Sequence, residues 1–136
     1  MNNFLIVVLM LATRRVCDQI AVSVAYAKQN VKIVGTDPGI TAELNGGTHM
    51  SFEDVAVLRS IPNMIIYDAV DDIQLSQAIE QIMKLDTSVY IRMPRKSAQP
   101  VFDKNYKFHL FKADIIEEGT DVTIIATGIM VAEAKK

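Results

Sequence analysis

Two clusters in this chain carry side chains that could do chemistry. The first is Asp37, Asn45 and His49, spread along Gly35-Thr-Asp-Pro-Gly-Ile-Thr-Ala-Glu-Leu-Asn-Gly-Gly-Thr-His-Met-Ser51. A carboxylate, an amide and an imidazole can together bind hydroxyl groups and move a proton. His49 stands ahead of a predicted helix start, where the positive end of the dipole suits an imidazole that donates or accepts a hydrogen bond. The second cluster is Arg92-Met-Pro-Arg95-Lys96. Arg95, placed by Pro94, could grip a phosphate or carboxylate with its planar fork. Blander readings stand beside these. A lone loop histidine is commonly structural or solvated, Asn45-Gly46-Gly47 is equally good turn chemistry, and Arg95-Lys96 also reads as a solvated basic step.

Both clusters must be positioned by the elements before them. Four of the six glycines fall in the stretch from Gly35 to Ser51, so its backbone can turn sharply. It joins the apolar run Val31–Val34 to the amphipathic run Phe52–Leu58, and Ser51-x-x-Asp54 resembles a capping box. A strand-to-helix connection of roughly fifteen residues, where about 2–6 is usual, is more often functional or disordered than ordinary. The rest of the chain alternates in the same way. Strands are predicted at Phe4–Leu11, Val31–Val34, Met64–Tyr67 and Val89–Arg92. Helices are predicted over Arg14–Lys28, burying Val16, Ile20, Val24 and Ala27, and over Asp71–Met83, burying Leu75, Ala78, Ile79 and Ile82. Asp71-Asp72 caps the latter.

Unalternated strands separated by helices mean βαβ units: an α/β fold with a mostly parallel open sheet and helices on both faces. In such sheets ligands gather at the carboxyl ends of the strands, which both clusters follow. After Met93 the pattern dissolves. Residues 94–118 read as a connector packed on a surface, with His109 taken for packing and Glu117-Glu118 for exposed charge. Asp121–Ala126 then reads as a new strand and Gly128–Lys136 as the beginning of a helix that stops too early for a domain.

The composition narrows the possible partners. The chain has 136 residues, half of them hydrophobic, and a net charge of −2. That suits one ordinary domain with a real core. No basic face or aromatic–basic interleaving stands out, which argues against nucleic acid. One cysteine excludes an internal disulfide framework, Cys17 reads as a small buried hydrophobe, and two histidines offer no metal-ligand spacing. The nine apolar residues Phe4–Ala12 fall far short of the roughly 20 that span a bilayer. They lack the flanks of a signal peptide, so a cytoplasmic address and no membrane partner are expected.

A series of motifs then points to a family. Thr13-Arg-Arg-Val-Cys-Asp-Gln-Ile20, Val31-Lys-Ile-Val-Gly-Thr-Asp-Pro-Gly39, Gly46-Gly-Thr-His49, Phe52-Glu-Asp54, Leu58-Arg-Ser-Ile-Pro-Asn63 and Tyr90-Ile-Arg-Met-Pro-Arg95 together resemble transketolase. The likeness is to its pyrimidine-binding domain, especially in enzymes split into two shorter polypeptides. It is weaker toward 1-deoxyxylulose-5-phosphate synthase and the beta part of 2-oxo acid dehydrogenases. The resemblance implies a partial pyrimidine-binding domain over 1–93, a connector over 94–118 and the start of the family's C-terminal domain over 119–136.

The resemblance also implies a thiamine diphosphate enzyme of carbohydrate metabolism, in the pentose phosphate pathway, that moves a two-carbon ketol unit between sugar phosphates. Mg²⁺ would be held by a diphosphate-binding domain or subunit that is not part of this chain, in a homo- or hetero-oligomer such as a dimer. By resemblance, His49 lies beside cofactor and substrate, Arg95 binds the sugar phosphate, and Asp37 and Asn45 take positions that recognise substrate. Two of these depart from the common pattern: Asp37 replaces a histidine and Asn45 an aspartate. An aspartate at 37 repels a phosphate unless it points away. The glutamate that protonates the cofactor's aminopyrimidine has no counterpart before Asp18, and the flanking aromatic pair falls on Val8 and Leu11. The chain alone is therefore expected to be inactive. The alternative is a non-catalytic remnant or interaction module that no longer binds the cofactor.

Overall fold

Apolar runs without alternation predict strands covered on both faces, and the sheet is built that way. The computed structural model describes the backbone of residues 3–8 and residues 12–136, Leu44 by its backbone alone. Strands β1 (Asn3–Val8), β2 (Val31–Thr36), β3 (Met64–Asp68) and β4 (Ser88–Met93) form one sheet in the order β1-β2-β4-β3, every pair parallel. The end of the predicted first strand, residues 9–11, lies outside the described residues.

Alternate side chains of β2 and β4, with those of β3, feed two cores. On one face Ile33 of β2 and Tyr90 of β4 pack with Ile20, Ala25, Leu58 and Ile61. On the other, Val34, Tyr67, Val89 and Ile91 pack with Ala78, Ile82 and Phe108. The first face is covered by the helical stretch that carries Ile20 and by helix α2 (Asp54–Arg59), the second by helix α3 (Asp72–Ile82). The expected α/β architecture, a parallel sheet with helices on both faces, is what the chain forms.

The predicted helix Arg14–Lys28 is present, but it changes gauge along its length. A 3₁₀ turn, Arg14–Val16, leads into one α turn, α1 (Cys17–Gln19), and then a π segment, Ile20–Tyr26. A π turn bonds i to i+5, so Ala25 lies beneath Ile20. Both are buried, whereas Val24 is only half-buried and Ala27 is exposed. Cys17 is half-buried against the same core.

Helix α3 starts as expected. Asp71 Oδ1 accepts from Gln74 N at 2.8 Å, while Oδ2 accepts from Val101 N and Phe102 N at 2.9 and 2.8 Å. One carboxylate thus caps the helix and pins the connector. Gln77 and Gln81 continue the attachment: Phe108 N donates to Gln77 Oε1 at 2.9 Å, and Gln81 Nε2 donates to Phe108 O at 2.7 Å. Ile79, predicted for the core, is 39% exposed, and His109 faces solvent rather than packing.

The expected strand at 121–126 is absent, and Val122, Ile124 and Ile125 are exposed. Its apolar composition suits a strand, but no neighbouring strand takes its backbone groups. Helix α4 (Met130–Ala134) comes next, with Val131 and Ala132 buried. Lys32 of β2 is also fully buried, at the amino end of the sheet. Its ammonium donates to Leu85 O at 2.9 Å, to Thr87 O at 2.7 Å and to Asn30 Oδ1. Burial pushes Lys32 below its ordinary value while Asp86 pulls it back up. That group is structural and lies at the opposite end from both clusters.

Candidate active-site edge

Strands β2 and β4 end together, Thr36 opposite Met93, so the segments leaving the two strands meet at one edge. Asp37 N donates to Met93 O at 3.0 Å. Asp37 has φ of 61°, a left-handed conformation that aspartate tolerates better than most residues. Its carboxylate is buried, and Oδ1 accepts from Arg95 N at 3.0 Å while Oδ2 pairs with Arg95 Nε. The expected repulsion of a phosphate by Asp37 is thereby offset, because the carboxylate is turned onto Arg95. Arg95 keeps a side chain 54% exposed, and among the described residues neither terminal nitrogen is bonded.

The long loop closes on itself, with Gly39 N donating to Ser51 O at 3.0 Å. Between these points runs 3₁₀ structure, Gly39–Thr48, broken at Glu43 and Gly46. His49 N donates to Gly46 O at 3.0 Å, and its Nδ1 shares a hydrogen bond of 2.9 Å with Thr48 Oγ1. His49 is half-buried and Asn45 exposed. The structure therefore brings Asp37 and Arg95 into contact and carries His49 and Asn45 on the loop above the same strand end. Among the described residues neither His49 nor Asn45 bonds to the pair. The predicted dipole effect on His49 does not arise, since α2 begins only at Asp54 and the effect fades within the first turn.

The predicted capping box is not formed either. Glu53 is the N-cap residue of α2, with no side-chain cap bond, and Ser51 Oγ is buried without a hydrogen-bond partner among the described residues. Asp54 has a different partner set. Its Oδ2 accepts from Arg92 Nε at 2.8 Å and from the Tyr90 hydroxyl at 3.0 Å. Arg92 Nη1 also donates to Asp68 Oδ2 at 3.1 Å. Thr127 Oγ1 reaches that same oxygen at 2.9 Å, fastening the terminal segment to the end of β3.

This network is not legible in the sequence, where Arg92 groups with Arg95. An arginine inside an otherwise apolar strand is the available signal, because a buried charge needs a partner. Burial pushes the Asp68 carboxyl above its ordinary value against the pull of Arg92. Burial also pushes up the Tyr90 hydroxyl, with Asp54 adding to the effect. On Arg92 burial works against the charge, but Asp68 and Asp54 outweigh it and hold the guanidinium above its ordinary value. A groove of about 530 Å³ opens over Asp68 and Arg92, walled by Ile124, Ile125 and Met130.

Residues 2–100 match the family described as transketolase, pyrimidine binding domain. Over 123 residues the chain is 60% identical to a 6-deoxy-6-sulfo-D-fructose transketolase subunit of Clostridium sp. (strain MSTE9), covering 90% of this chain and 38% of that protein. It is 36% identical over 121 residues to an apulose-4-phosphate transketolase subunit of Phocaeicola vulgatus, covering 88% of this chain and 39% of that one. Among solved structures, a split-gene transketolase described as an inactive beta4 tetramer superimposes with a TM-score of 0.85 at 32% identity, over 97% of this chain and 42% of that chain. The chain thus spans about two fifths of the length of these relatives.

A transketolase pyrimidine-binding domain implies use of thiamine diphosphate, and the residues present fit part of such a site. His49 offers a polar group beside Gly46 and Gly47, where a side chain would meet nothing within 4 Å. Of the other carboxylates placed at this edge, Asp37 is paired with Arg95 and Asp54 and Asp68 with Arg92, while Asp54 Oδ1 is buried without a partner among the described residues. The side chain of Val8 and the whole of Leu11, expected to flank the aminopyrimidine, lie outside the described residues. Among the described residues no three His, Cys, Asp or Glu gather where they could hold a metal ion, and no helix is long and apolar enough to cross a membrane.

Proposed function

The chain belongs to the transketolase family, and from that premise we propose that it forms one wall of a split-type active site that transfers a two-carbon ketol unit between sugars ending in an oxyanion. The single observation that carries this reading is the Asp37–Arg95 pair, which ties the ends of β2 and β4 together beneath the loop that bears His49. The relatives support the substrate class, because one is named for a sulfonated sugar and another for a sugar phosphate. Residues 1–93 supply the pyrimidine side, 94–118 connect, and 119–136 open the next domain. Mg²⁺ and the cofactor's diphosphate are held by a partner subunit.

Thiamine diphosphate, when bound, supplies the carbanion that makes and breaks the carbon–carbon bond. The chain's own residues bind and orient the sugar. The free terminal nitrogens of Arg95 hold its anionic end as a fork. The half-buried imidazole of His49 donates to, or accepts from, a substrate oxygen at the reacting end. Asn45 offers an amide to the sugar hydroxyls between them.

The test is reconstitution. The full chain is mixed with a diphosphate-binding transketolase subunit, cofactor and Mg²⁺, and ketol transfer is followed from sulfonated and phosphorylated sugars. The chain alone should turn over nothing and the mixture should be active. His49→Ala should then cut turnover by about 10²–10⁴, the usual range for an acid–base group. An unchanged rate removes His49 from the mechanism, and a mixture that stays inactive favours a non-catalytic interaction module.

A further inference from the structure

Asp37 is a buried carboxylate with a built role. It sits in a left-handed backbone conformation, its amide is bonded to β4, and both its oxygens are spent on Arg95. Being 4% exposed and turned onto Arg95, it is withdrawn from a sugar hydroxyl in the groove, and it fixes the direction in which the guanidinium points. It also cancels the charge of Arg95. The groove of about 230 Å³ beside the pair is lined by Asp37, Thr41, Glu43, Lys96, Ser97 and Glu133. Lys96 faces Glu43 at 3.5 Å, so the one cation among the lining residues meets three carboxylates, and Arg95, outside that lining, is paired with one of them, Asp37.

Such a site offers directed N–H donors without excess positive charge. A sulfonate and a phosphate monoester present the same three oxygens to the fork, so hydrogen-bond geometry does not separate them. Charge does. A sulfonate carries one negative charge at any neutral pH, whereas a phosphate monoester, with a second pKa of about 6, carries nearly two above it. The second charge finds no unpaired cation and lies close to the Asp37 carboxylate. We propose that Asp37 is the specificity-determining residue of this site: it positions Arg95 and selects sugars that end in a monoanion, a sulfonate, over those that end in a phosphate dianion. The proposal rests on the reading of Arg95 as the anion-binding residue.

The experiment uses the full chain and two small probes, propane-1-sulfonate and propyl phosphate, followed by calorimetry and by the Arg95 side-chain NMR resonances. At about pH 8 the sulfonate should bind roughly three- to tenfold more tightly, the scale of one partly screened charge–charge contact. Lowering the pH to about 5.5 makes the phosphate monoanionic and should close the gap. The sulfonate titrated over the same range carries any contribution from His49, Glu43 or Glu133 and is subtracted. Asp37→Asn should raise phosphate affinity and abolish the preference.

Equal affinities at about pH 8, or a ratio that Asp37→Asn leaves unchanged, would overturn the role of Asp37 while leaving Arg95 in place. A different failure, in which neither probe moves the Arg95 resonances and Arg95→Ala changes nothing, removes the anion-binding reading as well. If Asp37→Asn does not fold, the pH titration of the unaltered chain decides by itself.

Discussion

Two arginines three positions apart at the end of one strand have opposite fates. Arg92 is drawn inward, with a side chain 20% exposed and bonds to two carboxylates, one of them fully buried. Arg95 is held by one buried carboxylate and keeps 54% of its side chain in solvent. The first is held closed between two carboxylates: its Nε is answered by Asp54 and its Nη1 by Asp68, and Tyr90 and Thr127 donate to the same two groups, while Asp54 Oδ1 is buried without a partner among the described residues. The second is open, with its terminal nitrogens unanswered among the described residues. A charge that the fold has buried between two carboxylates holds structure together, while one that is aimed by a single carboxylate and half exposed is available to a ligand.

That contrast can be broken from the closed side first. Arg92→Met should destabilise the chain by about 3–5 kcal/mol in denaturant unfolding, because it leaves buried carboxylates without their cation. A loss below about 1 kcal/mol, the scale of an exposed pair, would mean that the Asp54–Arg92–Asp68 network is not what holds this edge. Gly128→Ala comes next. A Cβ there would stand 2.6 Å from the Asp68 carboxylate, on a backbone with φ of +57°. A cost of about 1–3 kcal/mol is expected, with proteolysis beginning in residues 119–136.

The pH dependence of the closed pair sharpens the comparison further. Burial raises the Asp68 carboxyl above its ordinary 3.8, so the folded chain binds this proton more tightly than the unfolded chain. Its contribution to stability is complete below 3.8 and is lost as pH rises through the folded value. Unfolding free energies from about pH 3 to 7 should show this fall, and Asp68→Asn should remove that component of the slope. On the open side the effects are smaller. Arg95→Ala should cost about 1–3 kcal/mol of stability, because buried Asp37 then keeps only the backbone amide at 95 as a donor, while abolishing anion binding. Removing the exposed Lys96–Glu43 pair by Lys96→Ala should leave the unfolding midpoint within error, about 0.5 kcal/mol or less.

Much of the frame could be read along the chain. The four strand segments, the cap at Asp71 and the position of both clusters beyond strand ends come from apolar runs and turn residues that act over a few positions. Three expectations failed where a distant partner or a local gauge intervened. Ser51-x-x-Asp54 has the letters of a capping box, but Tyr90, 36 residues on, and Arg92 compete for the Asp54 carboxylate and hold it in the core. The first helix buries Ala25 instead of Ala27 because π turns move the contact to i+5. Residues 121–126 have the composition of a strand, but a strand exists only as part of a sheet.

The sequence by itself determined which residues stand at the ends of strands, because hydrophobic period and turn chemistry are local properties. Only the tertiary structure decided how Asp37 and Arg95, 58 positions apart, would pair, and that Arg92 would be consumed instead of offered. The reason is register. Which side chains meet at an edge depends on how β2 and β4 align, Thr36 against Met93, and that alignment is set by the packing of both cores at once.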